Sequence, residues 1–180
     1  AGAFAGAQLR TMVFPAKYVS IEPYTFAYCK NLASVTLEKG IAKIGDGAFR
    51  GCSALNNVVI PETATNLGHY AFADCTSLND FTFSGSSTYS IGMHFFENCS
   101  ALKKVILPGS WTLSEDDARK NGLINSSGKL MPDAKKAIPS YMFAGTGIVH
   151  AEIPTSIKWI GTEGVFMNCK YMQTVKFASA

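Results

Sequence analysis

One phrase recurs along this chain. "IGDGAFRGCSALNNVVIP" at 44–61 returns as "LGHYAFADCTSLNDFTFS" at 67–84 and as "IGMHFFENCSALKKVILP" at 91–108. A unit of this length cannot bury its own apolar face, so the copies must stack on one another, and stacking leaves few architectures open. Taking the phenylalanine of "AF" as anchor, the copies centre on Phe4, Phe26, Phe49, Phe72, Phe96, Phe143 and Phe166, with gaps of 22, 23, 23, 24, 47 and 23 residues. Five residues before the anchor stands an aliphatic: Ile21, Ile44, Leu67, Ile91 and Ile138, with Ile160 displaced by one. Gly45, Gly68 and Gly92 lie four before it, and Cys29, Cys52, Cys75, Cys99 and Cys169 lie three after it. Ala7 and Thr146 hold the cysteine place in the two remaining copies.

Each copy then runs L-x-x-V-x-L, as in Leu32/Val35/Leu37, Leu55/Val58/Ile60 and Leu102/Val105/Leu107. The last two apolar positions alternate and β-branched residues stand between them, which predicts a short strand with one buried face. Pro15, Pro61, Pro108 and Pro154 close four of these strands, where no ladder donor is needed. The Ala-Phe-x-x-Cys segment predicts a helix or turn on the opposite side.

The gap of 47 reads as two periods. Pro132 precedes Ile138 by the same six residues that separate Pro61 from Leu67, which places the end of a hidden strand at "KLMP". Leu113 and Ala118 then take the aliphatic and anchor places. "SEDDARKN" predicts a short helix capped by Ser114, with Asp117 at its third position and a Glu115–Arg119 pair. "GLINSSGKLM" predicts a β-hairpin. The expectation is a leucine-rich-repeat-like solenoid over 1–180, one domain of about eight coils of ~23 residues. It has one parallel β-sheet face, and an elaborated coil near 109–134 carries the hairpin. Because the first residues fall inside a repeat, the chain is expected to be a fragment of a longer protein.

Composition narrows the function classes. Apolar residues make up 47% of the 180 and charged residues 16%, enough for a packed core. The net charge of +3 is spread thinly, with no run beyond pairs such as Lys103-Lys104, so no nucleic-acid partner is expected. No apolar run approaches the ~20 residues of a membrane span, so no membrane insertion by this segment is expected.

The repeated Ile-Gly…Ala-Phe-x-x-Cys…Leu-x-x-Val-x-Ile-Pro phrase resembles the leucine-rich repeats of the BspA-like, Treponema pallidum type, over essentially the whole chain. The segment at 121–132 is similar to a hairpin variant coil of that family. The resemblance implies a secreted or surface-anchored protein of the adhesin kind, at home outside the cell or on its surface. Its implied partner is a protein, such as a host extracellular-matrix or cell-surface protein.

Sites with chemistry are scarce. The five cysteines share one phase and are separated by 23 residues or more, which fits a ladder of buried thiols better than a zinc pair or disulfides. His69, Asp46 and His94 are expected as neighbours on the convex side, too loosely set to hold a metal. His150 is expected beside Glu152. Asn98 and Asn125 match a glycosylation pattern, and Glu115-Asp116-Asp117 reads as a helix start and not as a calcium loop. No nucleophile, zinc-hydrolase or phosphate-loop motif occurs, so neither catalysis nor a cofactor is expected.

The surface that remains is the exposed strand face. The residues between the inward strand positions are Val13, Thr36, Val59, Thr82, Ile106, Glu152 and Lys176, and two residues earlier stand Asn57, Asp80 and Lys104. They are the candidate protein-binding residues of a monomer. The plainer reading is that valine and threonine simply suit strands. A second stripe, Tyr24, Tyr70, His94 and Tyr141, covers the other side. A structural spacer, or a module that recruits substrate or glycan to a larger enzyme, is the alternative to a binding protein.

Overall fold

The computed structural model describes residues 1–178, and the repeat phase becomes a spatial register. Long strands β1 (Thr11–Phe14), β3 (Ser34–Leu37), β5 (Asn57–Ile60), β7 (Asp80–Phe83), β11 (His150–Ile153) and β13 (Thr174–Phe177) come from the predicted strand phase. Short strands β2 (Ser20–Ile21), β4 (Lys43–Ile44), β6 (Asn66–Leu67), β8 (Tyr89–Ile91), β9 (Trp111–Thr112), β10 (Ala137–Ile138) and β12 (Trp159–Ile160) come from the aliphatic phase. All pair in parallel, coil upon coil. The long strands form a four-stranded sheet β1-β3-β5-β7 and a separate pair β11-β13, and the short ones form β2-β4-β6-β8-β9 and the pair β10-β12. The solenoid and its parallel face are as the sequence predicts.

The anchor segment is a turn, not a helix. Its backbone enters the left-handed region twice. Two residues before the anchor, Tyr24, Tyr70, His94 and Tyr141 have φ of 57, 54, 58 and 57°, and Gly47 has 58°. Two residues after it, Tyr28, Asp74 and Asn98 have 58, 61 and 59°, and Gly51 has 71°. These kinks turn alternate N–H groups toward the next coil. Thus Tyr24 donates to Asp46 at 2.9 Å, Phe26 to Ala48 at 2.8 Å and Tyr28 to Arg50 at 2.6 Å. The backbone is satisfied between coils rather than within a helix. At the corner before the turn the coils touch backbone to backbone. A Cβ on Gly68 would fall 2.5 Å from the Asp46 nitrogen, and one on Gly92 as close to His69, which explains the glycine phase.

Side chains fill the interior as ladders. Phe26, Phe49 and Phe72 stack at 5.3 and 5.2 Å between ring centroids. The cysteines have a specific job: Cys52, Cys75 and Cys99 each donate Sγ–H to the carbonyl of the anchor one coil earlier, Phe26, Phe49 and Phe72, at 3.1, 3.2 and 3.1 Å. All five are free thiols. Burial pushes Cys52 up to about 12 and holds Cys75 and Cys99 high as well. Cys169 departs from the expected buried ladder and is half-buried, since no coil lies over it among the described residues.

Two expectations fail in the long gap. Phe96 and Phe143 stack directly, with centroids 5.9 Å apart, and the Phe96 N–H donates to the Met142 carbonyl at 3.0 Å. Ala118 therefore fills no anchor place. It belongs to a satellite cluster with Leu113, Leu123, Ala134 and Ala137, which contains no phenylalanine to extend the stack. The inserted residues add one strand, β9, to the short-strand sheet and nothing to the other ladders. The second failure is the strand expected from the Leu102/Val105/Leu107 pattern, which does not form. Thr112, which pairs with Ser90, comes four positions after Pro108, whereas Asn66 comes five positions after Pro61. The shorter connection draws the chain off the ladder on its way to β9.

Candidate binding face and the inserted segment

The ten candidate residues Val13, Thr36, Asn57, Val59, Asp80, Thr82, Lys104, Ile106, Glu152 and Lys176 are all exposed. The structure divides them into two groups. On the four-stranded sheet, Val13 pairs with Thr36 and Val59 with Thr82, while Asn57 pairs with Asp80. Ser34 pairs with Asn57, so this register sets Thr36 beside Val59 and makes one continuous ladder. Its inward neighbours Val35, Val58 and Phe81 are buried, so the sheet holds the outward row rigidly. On the second patch Glu152 pairs with Lys176. Lys104 and Ile106 lie on the irregular segment between the two sheets.

That segment makes a groove where the sequence predicts a flat sheet. The groove has a volume of about 880 Å³ and is bounded by Lys103–Leu107 on one side and by His150–Glu152, Thr174 and Lys176 on the other. His150 does not pair with Glu152. Its Nδ1 lies 2.8 Å from the Thr174 hydroxyl one coil later, because strand neighbours i and i+2 share a face but sit farther apart than partners across a ladder.

The inserted segment has the local structure its sequence predicts. The Ser114 hydroxyl accepts from the Asp117 N–H at 3.0 Å and caps helix α1 (Glu115–Lys120), Glu115 reaches Arg119 at 3.0 Å, and Ile124 bridges Leu130 in antiparallel fashion. Its attachment to the stack is not predicted. His69 donates its backbone N–H to Asp46 Oδ1 at 2.9 Å, accepts at Nδ1 from the Met93 N–H at 3.0 Å, and places Nε2 3.2 Å from Asp117 Oδ1. Nδ1 is occupied as an acceptor, so Nε2 carries the proton. His94 is sandwiched instead between Tyr70 and Tyr141, at 4.2 and 4.6 Å between centroids. The histidines and Asp46 are therefore neighbours on the convex side, as expected. Among the described residues no group of three His, Cys, Asp or Glu side chains is placed to hold a metal ion.

The model of the BspA type leucine rich repeat region matches residues 1–122 and 130–180 in six copies. The chain belongs to this family. Among solved structures, this BspA type repeat chain is similar to the leucine rich repeat protein of Treponema pallidum, with 19% identity and a TM-score of 0.58 over 92% of this chain and 63% of that one. It is also similar to a leucine rich cell surface protein from Faecalibacterium prausnitzii, with 23% identity, a TM-score of 0.43 and coverage of 96% and 60%. The pneumococcal vaccine antigen PcpA shares 18% identity and a TM-score of 0.48 over 93% of this chain and 50% of that one. The chain thus spans less than two thirds of each of these proteins. No curated protein matches it. The BspA type match skips 123–129, the tip of the inserted hairpin, which is where the stack carries its extra residues.

Proposed function

We propose that this chain is a non-catalytic protein-binding module of a secreted or cell-surface protein, and that it meets its partner through the exposed sheet face. One observation carries the reading: Val13, Thr36, Val59 and Thr82 form an outward ladder in register, in which Val13 and Val59 are 57% and 54% exposed. Apolar side chains set in a rigid row suit an extended protein surface, and their position needs no rearrangement on binding. A location outside the cell or on its surface is what the family resemblance supports. The buried, high-pKa thiols fit an oxidising milieu, because a buried thiol is inert. The partner class expected from the family is a host extracellular-matrix or cell-surface protein. Repetition across a longer chain would add avidity to a weak single contact.

A spacer role is the second reading, and it draws on the same ladder, since valine and threonine favour strands whether or not anything binds. The test replaces Val59, Thr82 and Ile106 together with glutamate, checks the fold by circular dichroism, and measures binding to extracellular-matrix proteins and host cells. Loss of wild-type binding is the expected result. Undiminished binding by the folded triple variant would remove the sheet face from the mechanism. If the longer parent protein binds nothing of this kind, the spacer reading takes its place.

A further inference from the structure

We propose that the groove between Lys103–Leu107 and β11 binds an extended peptide segment bearing acidic side chains. The proposal rests on the reading of the chain as a protein-binding module and names the kind of segment it takes. The first support is the backbone. Coil-to-coil pairing persists as far as Lys103, whose carbonyl accepts the Val149 N–H at 3.4 Å. Beyond it, among the described residues, the N–H groups of Lys104 to Leu107 donate to no protein acceptor. β7 pairs only with β5, and β11 only with β13. The open row of donors and the open edge of β11, which lines the groove, form a template that an extended chain can pair with.

The second support is the lining. Ile106 is 73% exposed, and Val105, Leu107, Ala151 and Pro154 supply further apolar surface. Lys103, Lys104 and Lys176 face one carboxylate, Glu152, and none of the three lysines has an ion-pair partner among the described residues. The sheet face of β1 to β7 has no comparable charge, its candidate residues being Val13, Thr36, Asn57, Val59, Asp80 and Thr82. Cationic rims around an apolar floor select acidic side chains on an otherwise apolar strand. A single-stranded nucleic acid would want a row of aromatic platforms for its bases, and the groove lining has no Phe, Tyr or Trp, its one ring being the His150 imidazole, whose Nδ1 lies 2.8 Å from the Thr174 hydroxyl.

The experiment measures fluorescence anisotropy of a short fluorescein-labelled peptide alternating valine with glutamate, against its valine–lysine counterpart and a labelled oligothymidylate. Saturable binding of the glutamate peptide alone is expected. Lys104→Glu/Lys176→Glu should weaken it by at least about tenfold, as for other charge-complementary contacts. Lys30→Glu/Lys129→Glu, far along the chain from the groove, should leave it unchanged. Hydrogen exchange should show protection of the Lys104–Leu107 amides when the peptide is bound. Absent binding, equal loss in the Lys30/Lys129 variant, no protection, or equal affinity for the oligothymidylate would each overturn the proposal. The two readings fail separately. If the peptide does not bind while a Val59→Glu/Thr82→Glu variant, which leaves Ile106 and the rest of the groove lining intact, still loses its protein partner, the groove is wrong and the sheet face stands.

Discussion

His69 Nε2 lies 3.2 Å from the Asp117 carboxylate and fastens helix α1 to the stack. The bond joins a convex turn to an insertion that shares no anchor ladder with it, so it should hold the insertion locally. Asp117→Asn and His69→Ala should speed amide exchange in α1 by about tenfold while β3 to β7 exchange as before, because coils open in units. Unchanged exchange in α1 would show that the satellite cluster and the hydrogen bonds of Asn121 with Ser140 and Thr162 hold it without the pair.

The same pair sets a pH dependence. Burial tends to raise the Asp117 carboxyl, but hydrogen bonds from His69 and Ser114 bring it below its ordinary value of 3.8. A lowered carboxyl contributes stability that is present above its ordinary value and lost as pH falls through the lowered one. For His69, the Asp117 hydrogen bond outweighs burial and raises the imidazole above 6.5. That contribution is present below 6.5 and fades as pH rises through the raised value. The loss there is partial, since neutral Nε2–H still donates. Docking of α1 should therefore be tightest between the two values, with a steeper fall on the acid side, and Asp117→Asn should flatten the profile of amide exchange against pH.

Phe49 is fully buried and stacked between Phe26 and Phe72. Phe49→Ala should cost ~3–5 kcal/mol in urea denaturation, the range for large core truncations. Phe4→Ala should cost much less, since Phe4 is 47% exposed and stacks on one side only. Equal costs would mean that the stack does not add its rungs independently.

The stack was legible because its signal is repeated. Each of the phases of Ile44, Gly45, Phe49, Cys52 and Val58 is sampled several times, and buried ladders tolerate few residue types. The two left-handed positions were not read, although part of the signal is there: glycine, asparagine and aspartate crowd the place of Gly51, Asp74 and Asn98, but tyrosine at Tyr24, Tyr28 and Tyr70 hides the rule. The insertion was legible only inside itself. Ser114, Asp117 and the Ile124–Leu130 hairpin follow from local rules, whereas the His69 contact spans 48 positions of chain with no repeat to reveal it. The groove was missed because the Val105/Leu107 pattern is a sound strand pattern. What removes the strand is a connection one residue short downstream.

The thiol ladder gives a reactivity order. Cys169 is half-buried, and its Sγ–H donates to the Phe143 carbonyl at 3.0 Å, while Cys52, Cys75 and Cys99 are inaccessible. With a disulfide reagent on the native protein, Cys169 should react first and the other four only on unfolding. Rapid modification of Cys75 in the folded state would contradict its packing. Cys75→Ala should cost about 1–3 kcal/mol, because one acceptor site of the Phe49 carbonyl is left without its donor in a dry interior.

Gly47 tests the cause of the glycine at a left-handed position. Its φ is 58°, as at Tyr24, Tyr70 and His94, so a side chain is tolerated by the turn itself elsewhere in the stack. What differs at Gly47 is the ring of Tyr24, whose Cε1 would lie 2.5 Å from an added Cβ. The ring occupies the room that the glycine leaves, and Tyr24 is itself only half covered. Gly47→Ala should therefore destabilise by about 1–3 kcal/mol, part from φ and part from the displaced ring. In a Tyr24→Ala background the φ part remains and the ring part vanishes, so the penalty should shrink. Residues in contact show such coupling, and distant ones do not. Denaturant midpoints of the two single variants and the double variant measure it. An equal penalty in both backgrounds would assign the whole cost to the backbone and leave Tyr24 a passive cover.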